Sequence, residues 1–240
     1  MEIDKKEAVL YIVATPIGNL GDIGHRAVEI LGAVEALACE DTRQTRKIFS
    51  RYEISPPKVI FSYHEHNEAA AGRRILKLLA EGRSVALCSD AGTPGISDPG
   101  YRIISEAVKR GYQVQVIPGA DAVTAALLAS GLPTSSFTFK GFPPRKQQQR
   151  RRFFELEKTA PHTLICFESP QRLVSLLQDA LETLGDRSAA VCIDLTKMFE
   201  EVRRGYLKDL LAVFENKKIK GEVTVVIAGN HPKFIRGEDE

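Results

Sequence analysis

The stretch Val85-Ala86-Leu87-Cys88-Ser89-Asp90-Ala91-Gly92-Thr93-Pro94-Gly95-Ile96-Ser97-Asp98-Pro99-Gly100 joins a short apolar run to a loop dominated by Gly, Pro and Asp. An apolar run of this length, bounded by turn formers, suits a strand buried on both faces. Gly lets backbone amides approach a ligand closely, while Pro stiffens the loop. Ligands of open α/β sheets bind at the carboxyl ends of strands, so this exit is a candidate binding loop. Asp90 can accept a hydrogen bond from an ammonium or a ribose hydroxyl. Asp98 is expected to cap the next helix.

Outward from this strand the pattern repeats. Apolar runs at Val9–Ala14, Glu35–Cys39, Val59–Tyr63 and Gln113–Ile117 alternate with helical patterns at His25–Leu31, Thr42–Tyr52, after Asn67 and at Tyr101–Arg110. That alternation predicts a mostly parallel sheet with helices on both faces. A boundary near Pro118–Ala120 divides residues 1–119 from a second α/β domain, 120–240. Its helices are expected at Asp121–Ser130, Gln171–Leu184 and Lys208–Asn216. Its strands are expected at Phe137–Phe139, His162–Phe167, Ala189–Leu195, Val202–Tyr206 and Glu222–Ala228, followed by a frayed tail, HPKFIRGEDE.

The chain has 240 residues, 43% hydrophobic and 27% charged, with a formal net charge of +2. This excludes a strongly polycationic or polyanionic protein but not a local basic patch. Cys39, Cys88, Cys166 and Cys192 lie in apolar runs without zinc-ligand spacing, which predicts reduced core residues and no metal. The opening MEIDKKEAVLYIVAT has too short an apolar run for a secretory segment or a membrane span. A soluble, cytoplasmic chain is expected.

Two further strand exits carry glycine: Thr15-Pro16-Ile17-Gly18-Asn19-Leu20-Gly21 and Pro118-Gly119-Ala120-Asp121-Ala122. Neither is a P-loop or a GxGxxG fingerprint, so the ligand need not be a phosphate. An amino-acid-bearing nucleoside would suit this donor set, with carboxylates for an ammonium and amides for a carboxylate. Asp121 can cap its helix or meet the ligand, and Asp41 or Thr42 can cap the basic helix that follows or position substrate. Between Lys140 and Arg152 lie Lys140, Arg145, Lys146, Arg150, Arg151 and Arg152 with no acid, flanked by Phe142 and Phe153. Arg43, Arg46, Lys47 and Arg51 cluster on one helix, and Arg203-Arg204 form another pair. Cations beside aromatic rings suit phosphate contact and base stacking.

In order along the chain stand VATPIGNLGDI, ACEDTRQTRK, SYHEHNE, SDAGTPGISDPGYR, IPGADA, SGLPT, GFPPRK, FESPQRL, LTKMFEEVRRG and KGEVTVVI. With these motifs, from about residue 9 to 228, the chain resembles the bacterial 16S ribosomal RNA (cytidine-2′-O)-methyltransferases of the tetrapyrrole-methylase superfamily. The resemblance implies two α/β domains with S-adenosyl-L-methionine in the cleft between them, usually in a homodimer. It places cofactor contacts at Pro16, Ser89, Asp90, Thr93, Asp121, Ala122, Phe167 and Thr224. At 121, relatives commonly carry Ser or Thr. It implies methylation of a cytidine ribose in the decoding region, on free 16S RNA or the 30S subunit. A tetrapyrrole methylase and a non-catalytic nucleoside- or RNA-binding relative are the alternatives.

A ribose 2′-hydroxyl is a weak nucleophile at neutral pH, so a base should assist. His64, His66, Glu168 and Lys197 are the candidates, with Glu200 beside Lys197 in the substrate pocket that the resemblance implies. The RNA-binding candidates are Arg43, Arg46, Lys47, Arg145, Lys146, Arg150, Arg151 and Arg152.

Overall fold

The computed structural model describes residues 8–237. The charged lead-in at 1–7 and the last three tail residues lie outside the described residues. Between Asp121 and Ala122 the chain divides into two compact units.

In the first unit, β1 (Val9–Val13), β2 (Ala36–Cys39), β3 (Val59–Ser62), β4 (Val85–Cys88) and β5 (Gln113–Ile117) form one sheet. The strand order is β3-β2-β4-β1-β5 and every pairing is parallel. β2 and β4 are buried along their whole length, as apolar runs covered on both faces require. Helices α1 (His25–Ala33) and α2 (Thr42–Arg51) cover one face, packing Ala27, Leu31, Ile48 and Phe49 on Val13, Leu37 and Cys39. Helices α3 (Glu68–Ala80) and α4 (Tyr101–Lys109) cover the other, packing Ile75, Leu79 and Ile103 on Leu10, Ile12 and Leu87. β4 therefore sits between β2 and β1 while its following helix crosses to the opposite face from theirs. Chain connections diverge at its carboxyl end, which is where such sheets bind ligands.

The second unit contains α5 (Ala122–Ser130), β6 (Phe137–Phe139), α6 (Gln147–Glu155), β7 (Thr163–Glu168) and α7 (Leu173–Leu184). It continues with β8 (Ser188–Ile193), β9 (Glu201–Tyr206), α8 (Leu207–Glu215) and β10 (Val223–Ile227). The strands order as β6-β7-β10-β8-β9, and only β6–β7 is parallel. Side chains alternate across a strand. Leu164 and Cys166 of β7, with Val223, Val225 and Ile227 of β10, therefore face α6, α7 and α8. α5 packs on the other face.

Two local expectations are corrected. The N-cap of α4 is Gly100, not Asp98, because the chain reaches the helix through a φ of +147° that only glycine adopts readily. The tail is docked rather than frayed as far as Arg236. Ile235 bridges to Arg187, and Arg236 reaches Asp209 at 3.0 Å while its guanidinium lies 4.1 Å from the Tyr206 ring centre. All four cysteines are buried and none forms a disulfide. Among the described residues, no helix is long and apolar enough to cross a membrane.

Candidate functional site

Because the first sheet is entirely parallel, the exits of its strands line one edge. The exits of β1 and β4 are stitched together. Thr15 N–H donates to the Gly92 carbonyl at 2.9 Å and Gly92 N–H returns the bond at 3.0 Å. The Thr15 hydroxyl donates to the Ser89 carbonyl at 3.1 Å, and the Ser89 hydroxyl donates to the Ala91 carbonyl at 3.1 Å. Ser89 and Pro16 are both buried, so they shape the loop from beneath. The exit of β5 joins the edge through Ala14 N–H, which donates to the Ile117 carbonyl at 3.1 Å.

The exits of β2 and β4 are crossed in the same way. Asp41 N–H donates to Asp90 Oδ1 at 2.9 Å, while Asp90 N–H donates to Glu40 Oε2 at 3.3 Å. Burial pushes the Asp90 carboxyl above its ordinary range, with the Asp41 N–H pulling it the other way. Asp41 caps α2, accepting from Arg43 N–H at 2.8 Å. The Arg43 side chain folds back onto the same carboxylate and holds it down at about 2. This pair is exposed, so it is weak and can exchange for a phosphate.

At the exit of β3, Asn67 holds a tight turn by accepting from His64 N–H at 2.9 Å and donating to the Ser62 carbonyl at 2.9 Å. The side chain therefore faces the turn and does not cap α3. Within that turn the Nδ1 atom of His64 is buried without a hydrogen-bond partner. His66 points to solvent at 84% exposure beside Glu65. Glu68 and Tyr63 are participants the motif reading missed. The buried Tyr63 hydroxyl donates to Glu68 Oε1 at 3.0 Å, and the same oxygen accepts Gly100 N–H at 3.3 Å. The histidine turn is thus anchored to the far end of the Gly-rich loop.

A Cβ at Gly100 would lie 2.9 Å from the Gly95 nitrogen, a backbone atom that cannot yield cheaply. Gly100→Ala should therefore lower the unfolding free energy by about 1–3 kcal/mol. It should weaken cofactor binding more than Gly111→Ala, where φ is +77° but nothing lies within 4 Å. Urea unfolding and calorimetric titration with S-adenosyl-L-methionine read the two effects.

In the second unit, Phe167 and Thr224 are register partners on β7 and β10. By alternation both face α5. Phe167 stacks edge-on against Phe139 at 4.8 Å and lies 5.6 Å from Phe142. Glu168, one residue on, faces the other way. Its carboxylate pairs with Arg172 and accepts Ser169 N–H at 2.7 Å, while Oε2 is buried without a partner. Strand alternation thus separates Glu168 from Phe167 and Thr224, and does not bring it to them as a base. Lys197 is corrected as well. It lies 3.0 Å from Asp194 Oδ1 and 3.1 Å from Glu222 Oε2. Burial opposes its charge, but these two bonds outweigh burial and push its pKa up. It stays an ammonium, unable to accept a proton.

The basic segment is also rearranged. Arg150 is 4% exposed, donating to Asp179 Oδ2 at 2.7 Å and to the Arg145 carbonyl at 3.1 Å. Arg151 donates to Asp179 Oδ1 at 2.9 Å and pairs with Glu182, and Lys140 reaches Glu157 at 2.6 Å. Arg150 is thereby removed from the RNA-contacting set, and Arg151 and Lys140 are engaged within the fold. Arg145, Lys146 and Arg152 remain on the surface, as do Arg46 and Lys47 on α2.

The first unit places the Asp90 carboxylate beside the stiff loop that carries Thr93, a pairing able to meet an ammonium or a ribose hydroxyl. Within the second unit the Phe167 ring lies beside Thr224. Among the described residues no group of three or more His, Cys, Asp or Glu is placed to hold a metal ion.

A wholly parallel sheet followed by a mixed one makes this a two-unit α/β protein. The solved uroporphyrin-III-C-methyltransferase of Thermus thermophilus shares this fold, with a TM-score of 0.62 at 21% identity over 91% of this chain and 94% of that one. Residues 9–211 match the tetrapyrrole (corrin/porphyrin) methylases. The chain belongs to that family and, within it, to the branch of the ribosomal RNA small subunit methyltransferases I. Similar curated proteins of that name occur in Halalkalibacterium halodurans, 48% identical over 95% of this chain and 78% of the relative. Another occurs in Thermotoga maritima, 44% identical over 92% of this chain and 98% of the relative.

Proposed function

We propose that the protein transfers a methyl group from S-adenosyl-L-methionine to the ribose 2′-oxygen of a cytidine in the decoding region of 16S ribosomal RNA. The observation that carries this reading is the 48% and 44% identity, over 95% and 92% of the chain, to ribosomal RNA small subunit methyltransferases I. The cofactor supplies an electrophilic methyl on a sulfonium, whose leaving group is neutral. What remains for the protein is to bind, align and take up a proton. Asp90 holds a cationic or hydroxyl group of the ligand at the crossed β2/β4 exits. Phe167 offers an aromatic wall. His64, the candidate base at the exit of β3, accepts the 2′-hydroxyl proton. We take the working form to be a cytoplasmic homodimer acting on the 30S subunit or its RNA.

The decisive experiment supplies labelled cofactor with 30S subunits, free 16S RNA and a tetrapyrrole in parallel. Label at a cytidine 2′-O position supports the proposal. Label in the tetrapyrrole, or in none of the three, replaces it with one of the two alternatives.

Phosphate contact predicts a graded salt dependence. Arg145, Lys146 and Arg152 are exposed cations of the basic segment. Neutralising each in turn to Gln should reduce the slope of log K against log salt by about 0.7–0.9 for each phosphate no longer neutralised. Binding titrations at several salt concentrations read the slope. An unchanged slope for all three moves the RNA surface elsewhere.

A further inference from the structure

We propose that the turn between β8 and β9, residues 194–200, is a rigid tip that stacks on an unpaired base of the RNA substrate. The inference rests on the ribosomal RNA reading and names residues that reading does not use. At the apex, Met198 is 89% exposed and Phe199 is 79% exposed. Among the described residues these are the two most exposed large apolar side chains, and they stand side by side.

The turn is rigid by construction. Lys197 N–H donates to the Asp194 carbonyl at 2.9 Å, Glu200 N–H to the Lys197 carbonyl at 3.1 Å, and Thr196 N–H to Glu200 Oε2 at 2.6 Å. Asp194 and Thr196 hold φ values of +50° and +67°. For a β-branched residue that conformation is an outlier, kept only when the surroundings impose it. The surroundings include Gly221, where a Cβ would fall 2.1 Å from the Asp194 carboxylate. That carboxylate also accepts Glu222 N–H at 3.2 Å.

The charge around the tip chooses the partner. The carboxylates in and beside the turn are engaged internally: Asp194 and Glu222 by Lys197, Glu201 by Arg203 and Lys217 at 2.5 and 2.6 Å, and Glu200 by the Thr196 N–H. Lys217 thereby ties the lysine segment 217–220 to the base of the turn. Lys218 and Lys220 lie exposed on that segment, and Arg204 is exposed on β9. An exposed aromatic ring on a fixed support, flanked by cations whose counter-charges are used elsewhere, is a stacking platform for single-stranded nucleic acid. A polyanion explains both the ring and the lysines.

The test compares wild type with Phe199→Ala, Phe199→Leu, Phe199→Tyr and Met198→Ala. The probes are a fluorescein-labelled 12-nucleotide single-stranded RNA and its duplex, read by anisotropy. Methyl transfer to 30S subunits, cofactor affinity and sedimentation are measured alongside. Phe199→Ala and Phe199→Leu should weaken single-strand binding about ten-fold, Phe199→Tyr should stay close to wild type, and duplex binding should not change. Methyl transfer at limiting RNA should fall in parallel, with cofactor affinity unaltered. Full binding by Phe199→Leu overturns stacking. A change in sedimentation with RNA affinity unchanged makes the tip an interface between copies, and also overturns it. If wild type labels RNA and every variant matches it, this inference alone fails. If wild type neither binds nor labels RNA, the functional reading fails as well.

Discussion

Asp179→Ala is expected to lower the unfolding free energy by about 3–5 kcal/mol, enough to threaten folding of the second unit. The Asp179 side chain is fully buried on α7 and takes Arg150 at 2.6 Å, Arg151 at 2.9 Å and Gln147 at 3.2 Å. Removing it leaves the Arg150 guanidinium, itself buried, without a counter-charge, and that uncompensated charge is what makes the loss large. Replacing both partners, as in Asp179→Leu with Arg150→Met, should recover most of the stability, because two apolar groups need no pairing. Urea unfolding of the single and double variants measures the difference. A single-variant loss below about 1 kcal/mol would mean water reaches the pair. The same geometry changes how arginine neutralisation must be read. A simultaneous change at 150–152 would lose RNA binding through misfolding, whereas Arg152 alone reports phosphate contact.

The fate of those arginines shows where sequence reading reaches its limit. Counting charge over 140–152 sees six cations and no acid, yet the compensating acids come from Glu157, Asp179 and Glu182. α7 reads as an apolar stripe through Leu173, Leu176, Leu177, Ala180 and Leu184. Nothing in that spacing tells a buried Asp179 from a solvated one, because its burial depends on α6 lying across it. The Gly-rich loop was legible for the opposite reason: its apolar strand, its glycines and its acid are contiguous, so local rules suffice. The Asp41 cap was legible on the same terms. Glu168 and Lys197 were not, since the first depends on which face of β7 its register selects. The second depends on carboxylates at 194 and 222, the latter brought to it by β10 pairing with β8. The docked tail likewise depends on Asp209 and Asp186, far away in sequence.

His64→Ala should reduce the single-turnover rate of methyl transfer by about 10²–10⁴-fold, the range a positioned proton acceptor contributes. Cofactor affinity and unfolding should change little, because the turn is held by the backbone N–H of residue 64 and the Asn67 side chain, not by the imidazole. The imidazole stands half-buried at the exit of β3, on the carboxyl edge of the first sheet. Three comparisons isolate the effect. His66→Ala, with its ring in solvent, should keep a near wild-type rate. Lys197→Ala should leave the shape of the pH–rate profile intact, since that ammonium is held protonated by Asp194 and Glu222. His64→Gln keeps a polar side chain that cannot take up a proton, and should be nearly as slow as His64→Ala. If His64→Ala keeps the wild-type rate, the proton leaves by another route. Alignment along the carboxyl edge of the first sheet, rather than a base at the exit of β3, would then carry the acceleration.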